Sequence, residues 1–186
     1  MMWSNDPMYR MARDMHTTEH DVINQILGDR AAEGGAIAAL RSHKPELAVQ
    51  LQAYYDSIFQ PDAPSAAELS LADRAVVAVR VASHTGSAAV VDWYAALANA
   101  EGVDAETLSR VQDVQVSWTG DTRLGAAIQR ADLITTNPAG AEASHLQELK
   151  ASGFSPAAIL SLSQVIAFVS YQLRLIAGLR ALGEAS

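Results

Sequence analysis

The stretch LSLADRAVVAVRVASHTG, residues 69–86, decides the fold of this chain. Its many valines fit a strand by intrinsic propensity, but its alanines recur every three to four residues from Ala72 to Ala82, which is the period of a helix. Ser70, followed three residues later by Asp73, resembles the capping box that opens a helix. Gly86 is a typical helix terminator. We therefore predict that this stretch is helical.

Helical patterning continues on both sides of this stretch, interrupted by glycine and proline. The segment 60–65 (QPDAPS) is predicted to be a linker, and 113–121 (DVQVSWTGD) a loop. No segment shows the strict alternation expected of a half-buried strand, so the predicted fold is all-α. The predicted helices cover residues 19–28, 37–44, 47–59, 70–86, 87–100, 105–111, 124–135, 141–151 and 155–182.

These boundaries divide the chain into three parts. Residues 1–18 show no hydrophobic period and contain several methionines that could each be the start, so we expect a ragged N-terminus. Residues 19–60 are predicted to form an N-terminal helical extension. Residues 66–183 are predicted to form one compact helical domain, which suits a chain of 186 residues.

Composition excludes several functional classes. There are 21 acidic and 13 basic residues, for a formal charge of −8, so no nucleic-acid partner is expected. The chain contains no cysteine, which excludes disulfides, thiolate metal sites and cysteine-dependent catalysis. It also has no haem or flavin motif and no phosphate-binding glycine loop, and no cofactor is predicted.

Two stretches bear on location. Residues 1–20 carry several charged side chains and lack the apolar core of a signal peptide, so we expect a cytoplasmic protein. The most hydrophobic stretch, 159–176, is interrupted by serine, glutamine and arginine, whereas a membrane span needs about 20 nearly unbroken apolar residues. Its apolar residues fall on two faces of a helix, as in a helix that is central in a core or buried in an interface.

Five features of the second half of the chain carry a resemblance: the run 69–74, the run 78–82, Gly86 with the helix after it, and the runs 153–160 and 164–174. Together they resemble the alkylhydroperoxidase D / carboxymuconolactone decarboxylase superfamily. The resemblance covers about residues 69–180, and residues 20–60 are similar to the extension found in a peroxidase-related branch. It implies a helical bundle of that superfamily's type and association into homo-oligomers.

The resemblance also identifies what is missing. In the superfamily's peroxidases a Cys-x-x-Cys-x-x-x-His motif opens the second helix, and an acidic residue lies on the helix before it. The matching positions here are Ser87, Val90 and Tyr94 for the motif and Ala75 for the acid. All four have been replaced, and a serine cannot form a sulfenic acid. The resemblance therefore implies the scaffold without the thiol peroxidase activity.

Ser87 has two interpretations. The simpler is an N-cap whose hydroxyl accepts a hydrogen bond from the helix. The alternative is a nucleophile with His84 as its base, although the chain has no Gly-x-Ser-x-Gly elbow.

The former active site is a candidate small-molecule pocket, where a helix N-terminus would favour an anionic ligand. The alternative is a filled-in core in which the aromatic residues only pack. The candidate pocket residues are Arg80, His84, Ser87, Asp92, Trp93 and Tyr94.

Two arginines, Arg80 and Arg174, stand inside apolar helices. We predict structural ion pairs for them, with Asp73, Asp92 or Asp132 as partners, and keep anion recognition as the alternative.

Three further features, which involve histidine or tryptophan, are weaker indications of a functional site. The run 16–20 matches His-x-x-Glu-His, a zinc-protease pattern, but we interpret it as two exposed histidines and predict no metal site. His145 is predicted to lie on the surface. Trp118 lies in the predicted loop, where it is a candidate flap.

Two functions from different classes remain. The first is a non-peroxidatic homo-oligomer with a small-molecule pocket at the former active site. The second is a thiol-independent, decarboxylase- or lyase-like enzyme acting on a small carboxylic acid or lactone. In the second, His84, Tyr94 and Arg80 would supply acid–base and carboxylate-binding groups.

Overall fold

A computed structural model describes residues 21–120 and 122–185 of the chain, and this part contains α and 3-10 helices without a strand. The all-α prediction is therefore confirmed. The α-helices are α1 Val22–Leu27, α2 Ala36–Ser42, α3 Pro45–Phe59, α4 Ala63–Glu68, α5 Leu71–Ser83, α6 Ala88–Ala100, α7 Ala105–Gln112, α8 Arg123–Thr136, α9 Ala143–Ala151 and α10 Pro156–Glu184, with short 3-10 turns at Gly28–Ala31 and Pro138–Gly140.

The valine-rich stretch is helix α5, as predicted. Ser70 is its N-cap and accepts a hydrogen bond from the Asp73 amide at 3.1 Å. Nine consecutive residues, from Arg74 to Ala82, are buried, because α5 packs against α6, α7 and α8. A helix enclosed in this way needs apolar residues all round, which explains its strand-like composition.

The chain divides into two compact units, one of residues 1–57 with 174–186 and one of residues 58–173. The predicted ragged terminus, 1–18, lies outside the described residues. The predicted extension (19–60) and domain (66–183) remain predictions, since grouping by contacts does not show which parts fold independently.

The first unit is organised around the start of α1. Asp21 caps this helix by accepting from the amides of Ile23 and Asn24 at 3.0 and 3.2 Å, and it also pairs with Arg41. The Gln52 side chain accepts from the Val22 amide at 2.7 Å. Caps and side-chain bonds therefore satisfy backbone groups that a short helix leaves open.

The predicted linker at 60–65 is wrong in part, because helix α4 begins within it. Asp62 caps α4 by accepting from the Ser65 amide at 3.0 Å, and the Ser65 hydrogen bonds lower the pKa of the Asp62 carboxyl. Pro64 lies in the first turn, where its missing N–H costs nothing. Proline and alanine after an aspartate thus form a helix start rather than a flexible segment.

The last helix, α10, begins where predicted, with Ser155 accepting from the Ala158 amide at 3.0 Å. Most of both of its apolar faces is buried, as in a central core helix. By length and composition α10 could cross a membrane, and 44% of its most apolar window is buried within the protein.

Candidate functional site

A buried ion pair joins α5 to α8. Arg80 Nε and Nη2 donate to Asp132 Oδ1 and Oδ2 at 2.6 and 2.9 Å. The Arg80 side chain is 2% exposed and that of Asp132 27%. His84, one turn further along α5, lies with Nε2 2.7 Å from Asp132 Oδ1. Asp132 is one of the three partners predicted for Arg80.

Arg80 also holds the loop that follows α7. Its remaining donors reach the carbonyl oxygens of Val111, Asp113 and Val116 at 3.1, 2.7 and 3.2 Å. All five N–H groups of the guanidinium therefore have an acceptor. The predicted loop at 113–121 is confirmed for its described residues, and its path over α8 depends on this arginine.

Further contacts fix the distal part of this loop. Gln129 Nε2 donates to the Trp118 carbonyl at 2.6 Å, and Ser152 Oγ donates to the Gly120 carbonyl at 2.9 Å. The Arg110 guanidinium stacks on the Trp118 ring at 4.2 Å. The loop is thus tied to both α8 and α9.

A cavity of about 790 Å³ opens where the loop, α8 and α9 meet. Each helix contributes residues spaced three and four apart, so a single face of each helix is presented to it. The lining residues are Ser117, Trp118 and Gly120 from the loop; Ala126, Gln129, Arg130, Asp132 and Leu133 from α8; and His145, Glu148, Leu149, Ala151 and Ser152 from α9 and its end.

Two polar side chains of this wall have unpaired buried atoms. Trp118 is 9% exposed, and its indole Nε1 has no hydrogen-bond partner within residues 21–120 and 122–185. Arg130 Nε and Nη1 are likewise buried without an acceptor. Burial lowers the pKa of Arg130, because it disfavours the charged form. Buried donors without partners are uncommon in folded proteins and call for an explanation.

The predicted capping role of Ser87 is wrong. Ser87 does precede α6, but its hydroxyl makes no cap hydrogen bond and is buried without a partner. Its ψ of 88° differs from the 158° of Ser70, whose hydroxyl does reach the helix amide.

The other three positions that match the family motif lie in the core. Ala75, Val90 and Tyr94 are all 0% exposed. Tyr94 donates to Gln172 Oε1 at 2.8 Å, and its ring lies 4.9 Å from that of Phe59. These contacts are those of packing residues.

The six predicted pocket residues differ in burial: Arg80 and Tyr94 are buried, whereas His84 and Ser87 are half-buried. Asp92 is exposed and Trp93 half-buried, and none of the six lines the cavity described above. Arg80 and His84 contact Asp132, which does line it. The observed cavity therefore involves residues other than the six predicted.

Three further predictions are corrected or located. Arg174 is exposed, so it is not the buried arginine that was expected. His145 is partly exposed, in keeping with its predicted surface position, and also lines the cavity. Trp118 lies in the cavity wall, where its backbone carbonyl accepts a hydrogen bond from Gln129.

The zinc-protease pattern at 16–20 lies outside the described residues. Within 21–120 and 122–185, no group of three or more histidines, aspartates or glutamates is placed to hold a metal ion.

Sequence reasoning missed Arg130 and Glu148. The sequence did contain a pattern that points to them. In two predicted helices, charged and apolar residues share one face at the spacing of a helix, namely 126, 129, 130 and 133 in one and 145, 148, 149 and 152 in the other. An amphipathic surface helix gives the same pattern, so only the packing of α8 against α9 identifies a cavity.

No protein-family model matches the chain, and no curated protein is significantly similar to it.

Proposed function

We propose that this protein binds a small molecule in the cavity between α8, α9 and the loop at 113–120, and that it has no thiol peroxidase activity. The observation that carries the proposal is the cavity itself: about 790 Å³, lined by seven polar residues together with tryptophan, leucine, alanine and glycine. Ligand sites in proteins are concave and of this size.

The proposal retains the alkylhydroperoxidase D / carboxymuconolactone decarboxylase scaffold, supported by the sequence pattern over 69–180. The peroxidatic positions carry Ser87 and Val90, and the chain has no cysteine elsewhere. Without a thiol there is no residue to be oxidised by a hydroperoxide in this way.

A thiol-independent enzyme is the second candidate, and the contact between His84 and Asp132 favours it. Histidine bonded to a carboxylate is a common acid–base arrangement. Here, however, Asp132 lines the cavity and His84 does not. A carboxylate that already accepts from Arg80 and His84 is a poor base, so we rank ligand binding ahead of catalysis.

We also propose a homo-oligomer, supported by side chains on the outer face of α10. Leu160 is 61% exposed and Tyr171 50% exposed, and exposed Ala167 lies between them at helical spacing. A second copy could bury this stripe. Sedimentation of the purified chain tests this, and a Tyr171→Glu variant should shift it toward the monomer. A monomeric wild-type chain would contradict it.

Thermal unfolding with a ligand panel tests the proposed site. The panel contains small carboxylic acids, their amides, lactones and quinones, and a ligand at a hundred times its dissociation constant adds about 2.7 kcal/mol of stability. Ala151→Trp fills the cavity from an exposed position on α9, and Ala143→Trp, exposed on the same helix but outside the lining, is its control.

A stabilisation that Ala151→Trp removes and Ala143→Trp retains supports the proposal. Absence of any stabilisation in the wild-type protein contradicts binding. Enzyme-like turnover of an organic hydroperoxide contradicts the absence of peroxidase activity.

A further inference from the structure

We propose that the ligand of this cavity is an organic anion, namely a carboxylate with a small apolar body, whose charged end lies beside Arg130 and Trp118. This inference rests on the proposed function, because it names the class of molecule that the same cavity takes.

Arg130 is a cation without a counter-charge. It forms no ion pair and donates no hydrogen bond to the described residues, and two of its nitrogens are buried. Two other buried arginines, in contrast to Arg130, do have acceptors. Arg80 donates to five acceptor atoms, and Arg74 donates to three backbone carbonyls. Leaving charged donors buried and unpaired is destabilising, and an anion in the adjoining cavity relieves that cost.

Trp118 adds a second donor to the same wall. Buried tryptophans usually donate their indole N–H to an acceptor, yet Trp118 Nε1 has none among the described residues. Its position is fixed by Gln129 and by the stacked Arg110. Nε1 itself is buried, so its donation to a ligand requires the indole to turn toward the cavity, as for the Arg130 side chain.

His145 is a third donor. Its Nδ1 accepts from the Glu142 amide at 3.0 Å, so the neutral ring carries its proton on Nε2. His145 also lines the cavity.

The acidic residues of the lining do not pair with Arg130. Both oxygens of Asp132 are already engaged by Arg80, and one of them also by His84. Glu148 is exposed, so solvent and salt screen its charge. Among the described residues, Arg130 is thus a cation that no carboxylate engages.

The rest of the lining defines the body of the ligand. Ala126, Leu133, Leu149 and Ala151 form its apolar part. Direct bonding to Arg130 requires its side chain to turn toward the cavity, and no hydrogen bond or ion pair with the described residues opposes this. A carboxylate suits the forked geometry of a guanidinium.

Isothermal titration with matched probe pairs tests the inference. Benzoate is compared with benzamide, and hexanoate with hexanamide, because each pair differs in charge but hardly in shape. In the wild-type protein we expect the acids to bind at least about tenfold more tightly than the amides, as charge-assisted hydrogen bonds predict. Arg130→Gln should remove this preference, and Trp118→Phe should reduce it while keeping an aromatic ring.

Arg174→Gln is the control, since Arg174 is an exposed arginine on α10 and lies outside the lining. It should leave the preference for acids within about threefold of wild type, a change of less than 1 kcal/mol. Chemical unfolding of each variant shows that it is folded, and Arg130→Gln should be at least as stable as wild type because it removes an unpaired buried charge.

The outcomes separate the two proposals. Equal binding of acids and amides, lost for both in Ala151→Trp, would leave the proposed function standing and overturn the anion inference. A preference for acids that survives in Arg130→Gln would also overturn it. Binding of no compound in the wider panel would overturn both.

Discussion

Arg80 donates two hydrogen bonds of 2.6 and 2.9 Å to the carboxylate of Asp132, and the same carboxylate forms part of the cavity wall. Because the other Arg80 donors hold the backbone at and after the end of α7, one buried guanidinium positions both the loop and the α8 residue that line the cavity. The stability of the domain and the shape of the site therefore depend on the same contact.

Replacement of Arg80 should be strongly destabilising. Arg80→Met leaves three carbonyls without this donor and Asp132 with His84 alone, and breaking a buried pair in this way costs about 3–5 kcal/mol. Arg80→Lys should recover little, because an ammonium cannot supply five donors in a fork. Urea unfolding measures the free energy of unfolding of both variants. Arg174→Met, at an exposed position, is the control, and its free energy of unfolding should lie within about 0.5 kcal/mol of wild type. A loss below about 1 kcal/mol in Arg80→Met would contradict the importance assigned to this contact.

Two helical glycines should respond in opposite directions to alanine. A Cβ at Gly125 in α8 would overlap the Thr119 carbonyl oxygen and approach Thr122 Oγ1 to 2.9 Å. Overpacking of this kind costs about 1–3 kcal/mol. At Gly178 in α10 no heavy atom lies within 4 Å of the added Cβ, so alanine should stabilise by about 0.5–1 kcal/mol.

Thermal and urea unfolding of Gly125→Ala and Gly178→Ala measure this contrast. Equal effects at the two positions would show that the loop at 113–120 does not press on α8 as the structure has it. Since this loop forms one wall of the cavity, Gly125→Ala should also weaken ligand binding, whereas Gly178→Ala should not.

Ser70 and Ser87 offer a matched test of helix capping. Ser70 accepts from a helix amide, so Ser70→Ala should cost about 1 kcal/mol. The Ser87 hydroxyl is buried and unpaired, so Ser87→Ala should stay within about 0.5 kcal/mol of wild type or be slightly stabilising. Urea midpoints compare the two, and an equal loss in both variants would restore the predicted cap at Ser87.

This pair of serines shows what local sequence can and cannot predict. Alanine spacing and the capping pattern at Ser70 correctly predict helix α5, because both signals act within one turn of the chain. The same residue type at Ser87 takes the N-cap position without the bond, since that bond depends on a backbone angle that the sequence pattern does not specify.

The site was less predictable, because its contacts join residues far apart in the chain. Asp132 was only one of three partners considered for Arg80, from which it is separated by 52 positions. The residues next to Arg130 in the sequence do not distinguish it from a solvent-exposed arginine. Its significance arises from burial without a partner, which only the packing of α8, α9 and the loop produces.

The cap of α7 should make a pH-dependent contribution to stability. Asp104 accepts from the Thr107 amide and hydroxyl, both at 2.8 Å, and these hydrogen bonds lower the pKa of its carboxyl below 3.8. Because the folded pKa lies below the unfolded value, the stabilisation is fully present above pH 3.8 and is lost as the pH falls through the folded pKa. Asp104→Asn, which keeps an acceptor but no charge, should lack this dependence.

Urea unfolding of wild type and Asp104→Asn between pH 7 and pH 2.5 measures the effect as a difference, so that titrations common to both proteins cancel. The gap between them should be constant near neutral pH and should shrink below pH 3.8. Asp92→Asn removes an exposed carboxylate from the interior of α6, where it caps nothing, and controls for net charge. If its difference from wild type narrows over the same pH range to the same extent, the effect belongs to the overall charge of the acidic chain and not to the cap.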